Sequence, residues 1–291
     1  MRRSSIWIVA CALCCAAAAA APQRVVSTNL CADEYVFRLV PRDHIAALSF
    51  EAGDRHPVVS TIADKVAGIA QIRPSTETVL ALRPDLVVTF AGTFAKLSAN
   101  LRALGVPVLE VPYDTSLDGV RRTTRRLGAA LGARDAAQAM LRQMDATLAR
   151  ARALAARPSV RTLIYEPNGY ATTGPVTEEL MALAGLSDAA PGYSLTRSGR
   201  IPVEAVVAAA PELLIFSGQR QAPQSRADQV LHHPALAALD GRTATAWDPL
   251  VPLLCAGPWS AQAAVRFAQM GRKARLLARS GEGNEAKAAR P

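Results

Sequence analysis

Histidine is scarce in this chain, with four residues in 291. A site for a bare transition-metal ion needs three or four His and carboxylate ligands that converge on one point. His232 and His233 are adjacent and precede Pro234, a pattern typical of a helix start. His44 and His56 lie in another part of the chain and show no ligand spacing. The sequence therefore predicts no site for a bare metal ion.

Signatures of common enzyme sites are also missing, since the chain has no G-x-S-x-G element, P-loop or Rossmann glycine pattern. The one catalytic candidate is Cys31, in a predicted strand–turn–helix where a helix N-terminus lowers a thiol pKa. No motif places a His beside Cys31 as a base. We expect a protein that is not an enzyme, with a periplasmic thiol-dependent enzyme as the alternative. Thiol titration separates the two, because the enzyme hypothesis needs a free reactive thiol.

Aromatic residues make up only 5% of the chain, which bears on how its positive charge is interpreted. The formal net charge is +9, and Arg121, Arg122, Arg125 and Arg126 fall on one predicted helical face. No aromatic residue is interleaved with these arginines, so the pattern does not indicate an RNA or DNA site. The face is interpreted as solvated, and the mild basicity favours an anionic ligand.

The N-terminus reads as a leader. A charged start at residues 1–3 is followed by an apolar, Ala-rich run over residues 6–21. The run is too short and too rich in small residues for a membrane anchor, and cleavage after Ala20 fits the small-x-small rule. We predict a signal peptide at residues 1–20 and a periplasmic mature protein. A lipoprotein anchored through Cys14 or Cys15 is disfavoured, because the preceding residues match a lipobox poorly.

Removal of the leader leaves two cysteines, Cys31 and Cys255. An even pair in an oxidising compartment is a candidate disulfide. The alternative is two unrelated buried thiols.

The strongest pattern is a unit that occurs twice, at residues 68–94 and 201–220. Each copy contains a helix that a proline ends, then an acidic residue, an apolar strand and a small polar turn. Glu77 and Glu204 each stand seven residues before the proline that ends their helix. The repeat predicts two similar lobes whose turns face one another across a cleft. The alternative is that such units are simply common in α/β proteins.

Alternating strand and helix patterns predict an α/β fold with mainly parallel sheets. The first lobe spans residues 21–134 and the second spans residues 158–279. Between them, residues 135–157 form one long rigid helix without Gly, and the ligand cleft lies between the lobes. We expect residues 280–291, rich in Gly, Ala and charge, to be a disordered tail.

Several segments carry a family resemblance: RVVSTNLCADEYVFRLV, IAALS, STETVLALRPDLVV with its echo PVEAVVAAAPELLI, and LCAGPWS. They resemble the periplasmic substrate-binding proteins of ABC importers for vitamin B12, ferric siderophores and haem. The resemblance covers residues 23–275. NLCADE and LCAGPWS are similar to a bacterial branch in which two cysteines recur and which is often described as binding cobalamin or iron complexes.

The resemblance implies two lobes joined by a long helix, with the ligand in a shallow cleft. It also implies that Glu77 and Glu204 pair with arginines of an ABC permease dimer in the inner membrane. The alternative for each glutamate is an ordinary acidic residue in a helix's first turn. The protein is expected to act as a monomer without a cofactor, since the bound molecule is cargo.

The expected cargo is a metal chelate, with cobalamin first and a ferric siderophore or haem as alternatives. Aromatic side chains cover a broad macrocycle with little loss of entropy. A haem could take Tyr113, Tyr165 or Tyr170 as an axial ligand. Each aromatic residue taken alone fits a core position equally well. The predicted ligand-binding residues are Phe50, Gly92, Thr93, Phe94, Tyr113, Tyr165, Tyr170, Arg200, Gln219, Trp247 and Trp259.

Overall fold

A computed structural model describes most of the chain: residues 21–55, 59–172, 174–193, 198–221, 223, 225–239 and 242–288. The predicted signal peptide at residues 1–20 and His56 lie outside these residues. No helix within the described ranges combines the length and apolarity needed to cross a membrane.

The first lobe is built on a parallel sheet in the order β3-β2-β1-β4-β5. Its strands are β1 (Val25–Ser27), β2 (Ile45–Ser49), β3 (Gln71–Ile72), β4 (Leu86–Phe90) and β5 (Val108–Val111). Nearly every residue of β1, β2 and β4 is buried, because helices cover both faces of the sheet.

Four helices surround this sheet: α1 (Leu30–Leu39), α2 (Thr76–Ala81), α3 (Ala95–Ala103) and α4 (Leu117–Ala130). Three of them begin at a polar cap. Asn29, Ser75 and Ser116 each accept a hydrogen bond from a backbone N–H in the first turn of α1, α2 and α4. The caps fix where each helix leaves the carboxyl edge of the sheet.

A single long helix, α5 (Arg134–Leu154), follows the first lobe. Ala137, Leu141, Met144, Leu148 and Ala151 are buried at spacings of three or four residues, so one stripe of α5 faces the protein. The helix covers most of the segment 135–157 that the sequence analysis assigns to a connecting helix. It stops three residues earlier because the backbone becomes extended after Leu154.

The second lobe contains a four-stranded parallel sheet in the order β11-β10-β6-β8 and a small antiparallel pair, β7 with β9. The strands are β6 (Val160–Tyr165), β7 (Tyr170–Thr172), β8 (Leu186–Asp188), β9 (Ser198–Arg200), β10 (Leu213–Phe216) and β11 (Ala244–Trp247). The helices are α6 (Pro175–Leu183), α7 (Val203–Ala209), α8 (Pro234–Ala237), α9 (Val251–Leu254) and α10 (Ala261–Ala288). The prediction of an α/β fold with parallel sheets is confirmed.

The repeated sequence unit folds in the same way in both lobes. In the first lobe α2 leads into β4, and in the second α7 leads into β10. Both strands lie inside their sheets and have neighbours on either side. Glu77 and Glu204 each lie in the first turn of the helix.

The end of the chain returns to the first lobe. Cys255 and Trp259 are buried in the same apolar cluster as Tyr35 and Val36 of α1. From there α10 runs along α5 and reaches Ala288, so it extends into residues 280–291, the segment predicted to be a disordered tail. The glycines in that stretch weaken a helix by about 1 kcal/mol each without ending it.

Candidate ligand cleft between the lobes

Strand polarity brings the predicted ligand residues to one side of each sheet. Strands β4 and β5 end at Phe90 and Val111, and strands β6, β10 and β11 end at Tyr165, Phe216 and Trp247. Open α/β sheets bind ligands beyond the carboxyl ends of their strands. The loops that follow these strands are therefore the candidate walls of the cleft.

A small cavity marks where the two lobes meet, with a volume of about 110 Å³. Its lining comes from the first lobe, from the start of α6, and from the end of α9 with the two residues that follow it: Cys31, Phe90, Pro112, Tyr113, Asp114, Gly174, Pro175, Val176, Thr177, Leu253, Leu254, Cys255 and Ala256. Sites for small molecules usually have volumes of about 300–1,000 Å³. This cavity is therefore too small to hold a large ligand by itself.

A disulfide between Cys31 and Cys255 forms part of the cavity wall. The two Cα atoms are 5.1 Å apart, within the range that a bridge requires. The predicted pairing is confirmed, and it joins α1 of the first lobe to the segment that follows α9. In this bonded form Cys31 has no thiolate with which to attack a substrate.

Two exposed rings of the first lobe follow strand ends, and one of them, Tyr113, lines this cavity. The side chain of Tyr113 is 67% exposed, and its ring meets Phe90 edge-on with centroids 6.3 Å apart. Phe94 is 43% exposed and has a left-handed backbone (φ 51°), which turns its ring outward at the start of α3. Phe50 is half-buried beneath the guanidinium of Arg73, at 4.1 Å. Together they give the first lobe an aromatic surface.

The turn after β4 holds Gly92 and Thr93. Gly92 has a positive φ of 82°, and nothing lies within 4 Å of the position that its missing Cβ would take. Thr93 Oγ1 donates a hydrogen bond to the Phe90 carbonyl at 2.7 Å and accepts one from Asn29 Nδ2 at 3.2 Å. The turn is therefore fixed in shape and leaves open space beside Gly92, where a ligand can approach the backbone.

The second lobe offers a cation stacked on an aromatic ring. Tyr170 and Arg200 are partners in the β7–β9 pair, and the Arg200 guanidinium lies 5.2 Å from the centroid of the Tyr170 ring. Both side chains are exposed. Gln219 is exposed in the loop after β10.

Trp247 is half-buried at the end of β11, between two other rings. Its centroid lies 4.6 Å from that of Phe216 and 4.8 Å from that of His232. Only part of the indole is therefore open to a ligand.

Two of the predicted ligand residues have buried side chains. Tyr165 has no exposed surface and donates its hydroxyl to the Ile201 carbonyl at 2.7 Å. Burial, followed by the nearby charge of Glu204, raises the Tyr165 pKa to about 12. A phenol held in this way does not face the cleft. Its position at the last residue of a strand was the reason for the prediction, but that position is packed against the second-lobe core.

Trp259 is only 7% exposed, and its ring lies in the core of the first lobe. The ring packs edge-on against Tyr35 at 4.9 Å and beneath the Arg38 guanidinium at 4.5 Å. Its Nε1 donates a hydrogen bond to the Cys255 carbonyl at 2.9 Å. Trp259 therefore anchors the end of the chain rather than facing the cleft.

Asp114 and Leu254 line the cavity although the sequence analysis did not select them. Asp114 accepts a hydrogen bond from Thr123 Oγ1 at 3.1 Å, and burial raises its pKa above the ordinary value. Leu254 is 54% exposed. The signals were present: Asp114 follows Tyr113 directly, and Leu254 begins the LCAGPWS segment.

Glu77 and Glu204 are both exposed at helix N-termini. Because α2 and α7 each lead into a parallel strand, these N-termini lie at the carboxyl edges of the two sheets. Hydrogen bonds from its own backbone and from Ser75 lower the pKa of Glu77, so it is charged at neutral pH. Each lobe thus presents one carboxylate on the side of the cleft.

Among the described residues, no three His, Cys, Asp or Glu side chains come together in a group that could hold a metal ion. His233 instead caps α8, where its Nδ1 accepts a hydrogen bond from Ala235 N at 3.2 Å.

Two α/β lobes, a connecting helix and a cleft at the carboxyl ends of the strands define a solute-binding protein of the two-lobed type. The chain belongs to the family described as periplasmic binding protein, whose model matches residues 25–242.

Two curated relatives, both cobalamin-binding proteins from strains of Halobacterium salinarum, are 29% identical to this chain over 200 residues. The match covers 67% of this chain and 53% of each relative, so the chain spans about half the length of the curated relatives it matches.

Solved structures share the fold at lower identity. A periplasmic haem-binding protein from Roseiflexus is 22% identical with a TM-score of 0.65, covering 87% of this chain and 98% of the other. The vitamin B12-binding protein of Vibrio cholerae is 16% identical with a TM-score of 0.63, covering 87% and 98%. A periplasmic binding protein from Veillonella parvula is 18% identical with a TM-score of 0.68, covering 87% and 92%.

Proposed function

We propose that this protein is an extracytoplasmic solute-binding protein that delivers a metal chelate, with cobalamin the first choice, to an ABC importer. The observation that carries the proposal is the set of exposed aromatic side chains beyond the carboxyl ends of the strands in both lobes. Tyr113 and Phe94 stand on the first lobe, and Tyr170 stands on the second. Binding without chemistry fits the family and the disulfide at Cys31.

A chelate fits this cleft better than a bare ion does. The side chains around the cavity are mainly aromatic and aliphatic, and the described residues contain no cluster of metal ligands. Rings gain most by covering a broad apolar face, such as that of a corrin. The cobalamin-binding relatives favour that ligand among the chelates.

Haem or a ferric siderophore is the second candidate. The phenols of Tyr113 and Tyr170 are 67% and 38% exposed, and a tyrosine can ligate haem iron. Tyr165, whose hydroxyl is held by Ile201, is not in a position to do so.

We place the mature protein in the periplasm as a monomer without a resident cofactor. The leader pattern of residues 1–20 supports export, and a disulfide suits an oxidising compartment.

Calorimetric titration tests the ligand class. We expect one tight partner among cobalamin, ferric siderophores and haem. Replacing Tyr113 with Ala should weaken that binding about tenfold, because it removes a large exposed ring from the cleft. Leu104→Ala is the matched control, since Leu104 is also exposed but lies at the far end of α3. Binding of free zinc or manganese alone would contradict the proposal.

Docking to the permease is tested with Glu77→Lys and Glu204→Lys in one chain. Ligand affinity should be unchanged and uptake by cells with the importer should be abolished, because each lysine would face a cation of the permease. Asp118→Lys with Asp135→Lys is the control, since both acids also lie in first turns of helices. Normal uptake by the Glu77/Glu204 variant would mean that the two carboxylates only stabilise the N-termini of their own helices.

A further inference from the structure

The end of the second lobe that lies away from the cleft has a dense group of exposed cations. Here the middle turns of α10, at residues 272–279, pack beside the C-terminal end of α5. The exposed cations are Arg150, Arg152, Arg157, Arg272, Lys273 and Arg279. Together with the two leucines described below, they are here named the basal surface. Among the side chains that the structure describes, none of these cations has an acidic partner.

Arg275, in the middle of this group, shows the contrast. It pairs with Glu212 at 2.6 Å and also donates hydrogen bonds to the carbonyls of Pro158 and Ser159. Arg275 thus ties α10 to the residues before β6. Among the described side chains, the six exposed cations form no comparable ion pair or hydrogen bonds.

The basal surface contains two shallow hollows, with volumes of about 470 and 500 Å³. Arg152, Arg157 and Arg279 line the first, Arg150 and Lys273 line the second, and Arg272 lines both. Among the side chains that the structure describes, which end at Arg279 on this helix, no carboxylate lines either hollow. The hollows therefore suit an anionic group.

Two leucines complete the basal surface. Leu276 is 64% exposed and Leu277 is 53% exposed. Successive residues of a helix point about 100° apart, so the pair spreads apolar area over the outward side of α10. Cations mixed with exposed leucines at a helix surface are the composition of interfacial membrane-binding helices.

We propose that the basal surface binds anionic phospholipid headgroups at a membrane. The planar guanidinium matches a phosphate with two parallel hydrogen bonds, and five of the six cations are arginines. The leucines would enter the boundary between headgroups and acyl chains. A nucleic acid would satisfy the cations but leave both leucines in water, so a lipid surface fits the whole pattern better.

The position of the basal surface sets how a lipid-bound molecule is oriented. Arg275 fixes this part of α10 to the start of β6, at the amino edge of the second sheet. Glu204 lies at the carboxyl edge of the same sheet. A molecule held by its basal surface therefore turns its cleft away from that bilayer. On one and the same membrane, lipid binding through the basal surface and docking through Glu204 therefore exclude each other.

Co-sedimentation of the mature protein with vesicles tests the proposal. We expect at least tenfold tighter binding to phosphatidylcholine vesicles that contain phosphatidylglycerol than to phosphatidylcholine alone, and this preference should weaken with salt. Arg272→Glu with Arg279→Glu should lose at least tenfold in affinity for the anionic vesicles. Leu276→Ser with Leu277→Ser should lose the binding that remains at high salt. Thermal unfolding checks that each variant is folded.

The matched control is Arg125→Glu with Arg142→Glu, which changes the net charge equally at two exposed arginines outside the basal surface. It should keep most of its affinity. Equal losses in both charge variants would overturn the proposal, because only net charge would then matter. Absence of binding to anionic vesicles would also overturn it and would leave an acidic protein as the partner of the basal surface.

Discussion

Replacing Cys31 and Cys255 with serine is expected to lower the free energy of unfolding by about 5 kcal/mol. The bridge joins residues 224 positions apart, and a cross-link that closes so long a loop removes much of the entropy of the unfolded chain. Typical domains are stable by only about 5–15 kcal/mol, so the loss would be a large share of the total. Equilibrium unfolding in urea, with and without a reductant, measures it.

The same experiment contains its own control. Reductant should destabilise the wild-type protein and leave the double-serine variant unchanged. The bridge also anchors the segment that carries Trp259 into the first-lobe core. Unfolding should therefore be one cooperative transition in the oxidised protein and should separate into steps in the variant. Stability of the variant within about 1 kcal/mol of the wild type would contradict this account.

Asp33→Asn is expected to stabilise the protein at alkaline pH by as much as about 4 kcal/mol. Asp33 is fully buried in the first turn of α1, and it accepts hydrogen bonds from Ser49 N at 2.9 Å and Ser49 Oγ at 2.5 Å. Burial raises its pKa from 3.8 to about 7, an effect that the polar groups of Ser27 and Ser49 only partly offset. An asparagine can keep both contacts without charge, because its oxygen accepts from the backbone and its amide donates to the hydroxyl.

The sign of the pH dependence follows from proton binding. Between pH 3.8 and about 7 the folded protein holds a proton on Asp33 that the unfolded chain has released. The stability from this group is therefore complete below pH 3.8 and is lost as the pH rises through about 7. Unfolding free energies measured from pH 4 to pH 8 should fall in the wild type more than in Asp33→Asn. Asp43→Asn, at an 83% exposed carboxylate, is the control, and equal slopes in all three proteins would refute the interpretation.

Much of the fold was predictable because its strands are local apolar runs. Leu86–Phe90, Val160–Tyr165 and Leu213–Phe216 are such runs, and all three form strands. Each has branched and aromatic residues between strong breakers, and burial on both faces needs no information from distant residues. The cysteine pair was predictable for another reason, since removal of the leader leaves only two.

The side chains of the cleft were harder to predict, because their exposure depends on what packs against them. Tyr165 and Tyr113 both lie at the end of a strand, yet the first is buried with its hydroxyl bonded to Ile201 and the second is 67% exposed. Trp259 precedes a helix of the second lobe in sequence, while its ring lies in the core of the first. Its contact with Tyr35 joins residues more than two hundred positions apart, which no local pattern encodes.

The most direct test of the central claim is the absorption spectrum of the protein purified from its native periplasm. Corrin, haem and ferric-siderophore bands are mutually distinguishable. The account predicts corrin bands that follow the protein through purification and disappear when the bound molecule is removed by unfolding. Haem or ferric-siderophore bands would contradict the choice of cobalamin. A colourless protein that develops none of these bands when titrated with the three chelates would contradict the claim that a metal chelate is its cargo.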